Sequence, residues 1–82
     1  MILVNIEFQE LNRSYDFKLD WDASVQTITD EVLKMISQTE HLPLAKEPGT
    51  FLLYKKGSNC ALHPNSMLAE NGINTGDTLL LI

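Results

Sequence analysis

The stretch that decides the fold is Asn71-Gly72-Ile73-Asn74-Thr75-Gly76-Asp77-Thr78-Leu79-Leu80-Leu81-Ile82. It opens with turn residues and closes on five apolar or β-branched residues, with no charge after Asp77. A short apolar run bounded by turn residues is typical of a buried strand. A chain end frays unless it is tied down, and a place in the middle of a sheet ties it down well. We therefore predict that this strand inserts between strands formed earlier in the chain.

The first part of the chain predicts an antiparallel hairpin. Residues 2–8 and 15–21 alternate apolar and polar side chains at period two, and the segment between them is polar. Such alternation indicates half-buried strands with one solvated face. The side chains predicted to face inward are Ile2, Val4, Ile6, Phe8, Tyr15, Phe17, Leu19 and Trp21.

The period then changes to that of a helix. One apolar stripe consists of Val25, Ile28, Val32, Leu33 and Ile36. Ser24 stands where an N-cap hydroxyl would accept a bond from the first free amides. The helix should end near residues 38–40, because Pro43 disfavours helical backbone before it. Residues 41–49 are predicted to cross over to the next strand.

Several short elements follow the crossover. We predict a strand at 51–54, a turn at 56–59, a return strand at 60–62 and a helical turn at 65–73 anchored by Leu68 and Ile73. A single helix can cover only one face of the sheet. The economical topology places the last strand parallel to the first at the sheet centre, which explains its apolar composition. The fold class is therefore α+β: a β-grasp arrangement with a mixed four- to five-stranded sheet and one main helix on one face.

Length and charge exclude several classes of function. Eighty-two residues predict one domain spanning 1–82. The net charge is −5 and the six Lys and Arg residues are scattered, which argues against nucleic acid and anionic membranes as partners. No apolar run approaches the roughly 20 residues of a membrane span, so we expect no membrane insertion. The single cysteine, Cys60, suits a reducing cytoplasm.

Candidate chemistry is sparse. Cys60 and His63 have a ligand-like spacing, so a small metal- or ligand-binding domain stays open, but zinc needs more ligands than these two supply. A half-buried strand cysteine beside a surface histidine is the preferred interpretation. Asp16, Asp20 and Asp22 fit a solvated strand face better than a calcium or acid–base site. We predict no catalytic residue, no metal and no cofactor.

The sequence resembles ubiquitin-like proteins over its whole length. The resemblance is carried by Ser24-Val25 opening a helix with Ile28, Val32 and Ile36, by Phe51-Leu52-Leu53-Tyr54, by Leu68 and Ile73 five residues apart, and by Thr78-Leu79-Leu80-Leu81. Within that superfamily it is most similar to the small bacterial YukD/EsaB-type proteins. It shares with them its length, a hairpin directly from the N-terminus, and the turn at residues 72–77 before an apolar end.

This resemblance implies a cytoplasmic accessory of type VII secretion that acts through protein contacts, including contacts with components of the secretion machine, and has no catalytic activity. The alternative is a ubiquitin-like modifier or sulfur carrier. Those proteins end in a Gly-Gly tail whose carboxylate is activated, whereas this sequence ends at Ile82. We therefore expect neither conjugation nor sulfur transfer.

An excess of apolar residues predicts where a partner would bind. If Leu79 and Leu81 face the helix, the open face of the sheet carries Leu3, Leu53, Leu80 and Ile82, with Leu53 placed there on the assumption that Leu52 faces inward. A contiguous apolar patch on a small soluble domain usually marks a protein-interaction site. A homodimer through this face is one way to cover it.

Overall fold

The computed structural model describes residues 1–41 and 50–82. Its main elements are β1 (Ile2–Phe8), β2 (Arg13–Leu19), α1 (Val25–Glu40), β3 (Leu53–Lys55), a 3₁₀ helix (Ala69–Asn71) and β4 (Thr78–Leu81). The strands form a four-stranded sheet in the order β2-β1-β4-β3. This is the predicted α+β arrangement, with four strands.

Strand β4 lies at the centre of the sheet, as the sequence predicted. It pairs in parallel with β1, where Ile6 is opposite Leu79, and antiparallel with β3, where Leu53 is opposite Leu81. Leu79 and Leu81 are completely buried. Because both neighbours of β4 hydrogen-bond to it, the apolar end of the sequence is fixed within the sheet.

Helix α1 begins and ends as predicted. The Ser24 hydroxyl accepts a hydrogen bond from the Thr27 amide at 3.1 Å, which satisfies one of the free donors of the first turn. The helix ends at Glu40, and His41 adopts a left-handed conformation with φ of 55°. All five residues of the predicted stripe are buried. They join the β-strand side chains in a single core.

The turn between β2 and α1 differs from the prediction at Trp21. Strand β2 ends at Leu19, and the Ala23 amide donates to the Asp20 carbonyl at 3.2 Å, which turns the chain into the helix. Trp21 therefore leaves the sheet and is 42% exposed, so its predicted inward position is wrong. Its indole Nε1 donates to the Ile73 carbonyl at 2.9 Å and links this turn to the segment before β4.

The two segments that follow β3 are shorter than predicted. The return strand at 60–62 is reduced to a single bridge between Tyr54 and Ala61. The helical turn is a 3₁₀ helix flanked by Leu68 and Ile73, which are both fully buried and so act as the predicted anchors. Of the predicted crossover at 41–49, residues 42–49 lie outside the described residues.

Truncation of a buried leucine on the central strand should destabilise the fold far more than truncation of an exposed leucine on the open face. We expect Leu81→Ala to lower the free energy of unfolding by about 2–5 kcal/mol, because it removes a fully buried side chain. Leu52→Ala, at an exposed position opposite Ile82, should change it by about 0.5 kcal/mol or less. Urea denaturation followed by circular dichroism measures both. Equal losses in the two variants would contradict the assignment of faces.

A polar cluster joins the end of α1 to the start of β2. The Tyr15 hydroxyl donates to Glu40 Oε1 at 2.6 Å, and the Arg13 guanidinium donates to both carboxylate oxygens at 3.0–3.1 Å. The hydrogen bond from Tyr15, followed by the charge of Arg13, lowers the pKa of Glu40. Burial, followed by the bond to Glu40, raises the pKa of Tyr15.

The pKa of Glu40 should depend mainly on Tyr15. Since folding lowers this pKa, the stabilisation is present above the ordinary carboxyl pKa and is lost as pH falls through the folded-state value. Tyr15→Phe should raise the pKa of Glu40 towards its ordinary value and reduce this acid-dependent loss. Carboxyl ¹³C NMR titration measures the shift. Arg13→Gln is the matched comparison and should raise the pKa less; an unchanged pKa in Tyr15→Phe would contradict this.

Candidate protein interface

The structure corrects the assignment of Leu53 to the open face. Leu53 is 2% exposed and packs in the core, because it lies opposite the inward-facing Leu81. Leu52 faces outward instead and is 45% exposed. Leu52 and Ile82 exchange two backbone hydrogen bonds, of 2.8 and 3.0 Å, which extend the β3–β4 ladder beyond Leu53. The assumption that Leu52 faces inward is therefore wrong.

Leu80 and Ile82 lie on the open face, as predicted. They alternate with the buried Leu79 and Leu81, and Ile82 is 46% exposed while Leu80 is partly buried. Tyr54 is opposite Leu80 across the β3–β4 pairing and also lies on this face. We call Leu52, Tyr54, Leu80 and Ile82 the open-face patch.

Leu3 is exposed but lies away from this patch. It is 46% exposed, and its carbonyl accepts from the Gly76 amide at 2.9 Å. In the parallel pairing Glu7 is opposite Leu80, and Glu7 follows Leu3 by four residues, a distance of about 13 Å along a strand. The polar side chains of Asn5 and Glu7 come between. The prediction that Leu3 belongs to one contiguous patch is therefore wrong.

An ion pair borders the open-face patch on the β1 side. Lys56 Nζ lies 3.3 Å from Glu7 Oε1, and the Lys56 amide donates to the Thr78 carbonyl at 3.0 Å. Because Lys56 is next to β4 and Glu7 belongs to β1, the lysine side chain crosses over β4 beside Leu80. This polar border was not apparent from the sequence, since it depends on the β1–β4 register.

Cys60 and His63, the candidate ligands of the sequence analysis, both lie on the surface. Cys60 is exposed rather than half-buried, and its backbone bonds to the Ser58 hydroxyl. His63 is exposed as expected, and its Nδ1 accepts a hydrogen bond from the Asn65 amide at 3.1 Å. Among residues 1–41 and 50–82, no three His, Cys, Asp or Glu side chains are placed to hold a metal ion.

The carboxylates predicted to lie on a solvated face are indeed exposed. Asp16, Asp20 and Asp22 all face solvent, and Asp20 Oδ1 accepts from the Asp22 amide at 3.0 Å, as in an ordinary turn. Gly72 and Gly76 have positive φ angles of 69° and 95°, in keeping with a turn before β4.

Comparison with known proteins identifies the family. The family model described as "WXG100 protein secretion system (Wss), protein YukD" matches residues 3–81. The chain belongs to the YukD family. This membership supports an accessory role in type VII secretion. No curated protein matches the chain significantly.

Solved structures confirm the ubiquitin-like fold. Ubiquitin of Caldiarchaeum subterraneum is 23% identical, with a TM-score of 0.71 over 99% of this chain and 90% of that one. A ubiquitin-like domain of an Arabidopsis thaliana protein is 17% identical, with a TM-score of 0.74 over 99% and 74%. A chain of the toluene 4-monooxygenase HD complex with 4-bromobenzoate is 16% identical, with a TM-score of 0.80 over 98% and 94%.

In the part of the chain that the structure describes, no helix is both long and apolar enough to cross a bilayer.

Proposed function

We propose that this YukD-family chain is a non-enzymatic protein-interaction module, a single ubiquitin-like domain that acts in the cytoplasm as an accessory or regulator of type VII secretion. It binds components of the secretion machine through the open-face patch. The observation that carries the proposal is the family match over residues 3–81, combined with exposed apolar side chains on the face of the sheet opposite the helix.

The open-face patch has the composition of an anchor site. Leu52 and Ile82 are nearly half exposed, and they are adjacent because they exchange backbone hydrogen bonds. Tyr54 adds an aromatic side chain, a residue type enriched at protein interfaces. Exposed apolar side chains that lie together favour a partner that inserts apolar groups of its own.

The border of the patch favours a partner with polar groups at one side. The Lys56–Glu7 pair is partly exposed and lies next to Leu80. Exposed ion pairs at the rim of an interface contribute little affinity but discriminate against badly matched partners. In a homodimer through the same face, the Lys56–Glu7 border of one copy would have to lie against that of the other.

Charged substitutions in the open-face patch should abolish binding without unfolding the domain. We expect Leu52→Asp and Leu80→Asp each to lose the partner, because a carboxylate would be desolvated in an apolar contact. The measurement is photo-crosslinking from Tyr54 in secreting cells, read together with export of the WXG100 substrate from a deletion strain complemented by each variant.

Leu3→Asp is the matched control, since Leu3 is equally exposed but lies outside the patch. It should retain both crosslinking and export. Circular dichroism of each purified variant checks the fold. If Leu52→Asp and Leu80→Asp support export and crosslink as wild type does, the open-face patch is not the binding site. A crosslink between two copies of the chain would instead assign this face to a homodimer.

A further inference from the structure

The edge of the sheet formed by β2 has backbone groups available for another strand. The Asn5 and Gln9 amides donate to carbonyls of β4, so the odd-numbered residues of β1 bond to β4 and the even-numbered ones bond to β2. In β2 this leaves the backbone groups of Ser14, Asp16 and Lys18 pointing away from the sheet. Within residues 1–41 and 50–82, no third element hydrogen-bonds to them.

A partly apolar groove runs beside this edge. It has a volume of about 240 Å³ and lies between β2 and the last turns of α1. Its lining residues are Tyr15, Asp16, Phe17, Met35, Ile36 and Thr39. Met35 is 49% exposed, whereas the other large apolar side chains of α1 are buried. The edge therefore combines a row of outward-pointing backbone groups with adjacent apolar surface, which is the arrangement that an added strand requires.

The charges on the edge complement those of a second copy. In an antiparallel pairing of two β2 strands centred on Phe17, Asp16 of each copy lies opposite Lys18 of the other. Opposite charges directly across a strand pair are stabilising and like charges are destabilising. Moving the centre by one residue in either direction places Asp16 opposite Asp16 or Lys18 opposite Lys18. The sequence of β2 thus favours this register over the two adjacent ones.

Both charges are available for this pairing. Asp16 Oδ1 accepts from Asn5 Nδ2 at 3.0 Å, and within residues 1–41 and 50–82 no hydrogen bond or ion pair involves Oδ2. Lys18 takes part in none of the ion pairs found among residues 1–41 and 50–82. Both side chains are exposed.

We propose that two copies of the chain associate edge to edge through β2, antiparallel and centred on Phe17, to form a continuous sheet. The two-fold axis is perpendicular to the sheet, so both α1 helices lie on the same face and the two grooves meet across the seam. The interface is small, so association is weak and reversible. It uses a different surface from the open-face patch and does not depend on the function proposed for that patch.

A charge-swap experiment tests this register directly. The chain and its variants are examined by sedimentation velocity from micromolar to millimolar concentration. Asp16→Lys and Lys18→Asp each place like charges opposite one another twice, so each should weaken self-association about tenfold. An equimolar mixture of the two variants should recover it as a heterodimer, because one presents two lysines and the other two aspartates. The double variant should self-associate as wild type does.

Two further measurements distinguish association through β2 from association through the open-face patch. Amide hydrogen exchange at Asp16 and Lys18 should slow with increasing concentration, because these groups become bonded at the seam. Leu52→Asp, in the open-face patch, should leave association unchanged. The proposal is overturned if wild type stays monomeric at every concentration, if the mixture of variants does not pair, or if Leu52→Asp abolishes association while the charge swaps do not. If the β2 edge binds only an extended segment of another protein, wild type stays monomeric at every concentration.

Discussion

The parallel pairing of β1 with β4 is the constraint on which the rest of the structure depends. It joins the two ends of the described chain, with Asn5 opposite Thr78 and Phe8 opposite Leu81. This pairing determines which side chains of β4 are buried, because neighbouring residues on a strand point to opposite faces. A second pairing aligns β3 on β4 with Leu53 opposite the buried Leu81, so the faces of β3 follow from those of β4. Core and open face are both consequences of these two registers.

The elements that the sequence predicted well are those with an unambiguous period. The strands of the hairpin alternate, and the stripe of α1 recurs at helical spacing, so Val4, Phe17 and Val32 could be placed in the core directly. The run Phe51-Leu52-Leu53-Tyr54 is apolar throughout and has no alternation that would reveal its inward side. Its orientation is set by contact with Leu81, which is distant in sequence. For this reason the sequence alone assigned Leu52 and Leu53 to the wrong faces.

The position of Leu3 could not be predicted for a related reason. Its exposure follows from alternation alone and was correctly inferred, but its distance from Leu80 depends on how far β4 is shifted along β1. A shift of this kind leaves no local trace in the sequence, because side-chain periodicity reports the face and not the position along the strand. The wrong prediction for Trp21 has a different cause. Its alternation continues that of β2, yet the bond between Ala23 and Asp20 ends the strand before it.

The two candidate surfaces lie at opposite edges of the sheet, and this placement separates their roles. The open-face patch lies on β3, β4 and the residues that adjoin them, whereas β2 forms the opposite edge of the sheet, and β1 lies between them. The first offers apolar side chains on a sheet face, and the second offers backbone groups flanked by Asp16 and Lys18. Because an antiparallel seam along β2 would leave β3 and β4 uncovered, self-association would double the number of open-face patches on one particle. A weak dimer would then bind a repeated partner with greater avidity than a monomer does, without any change in the patch itself.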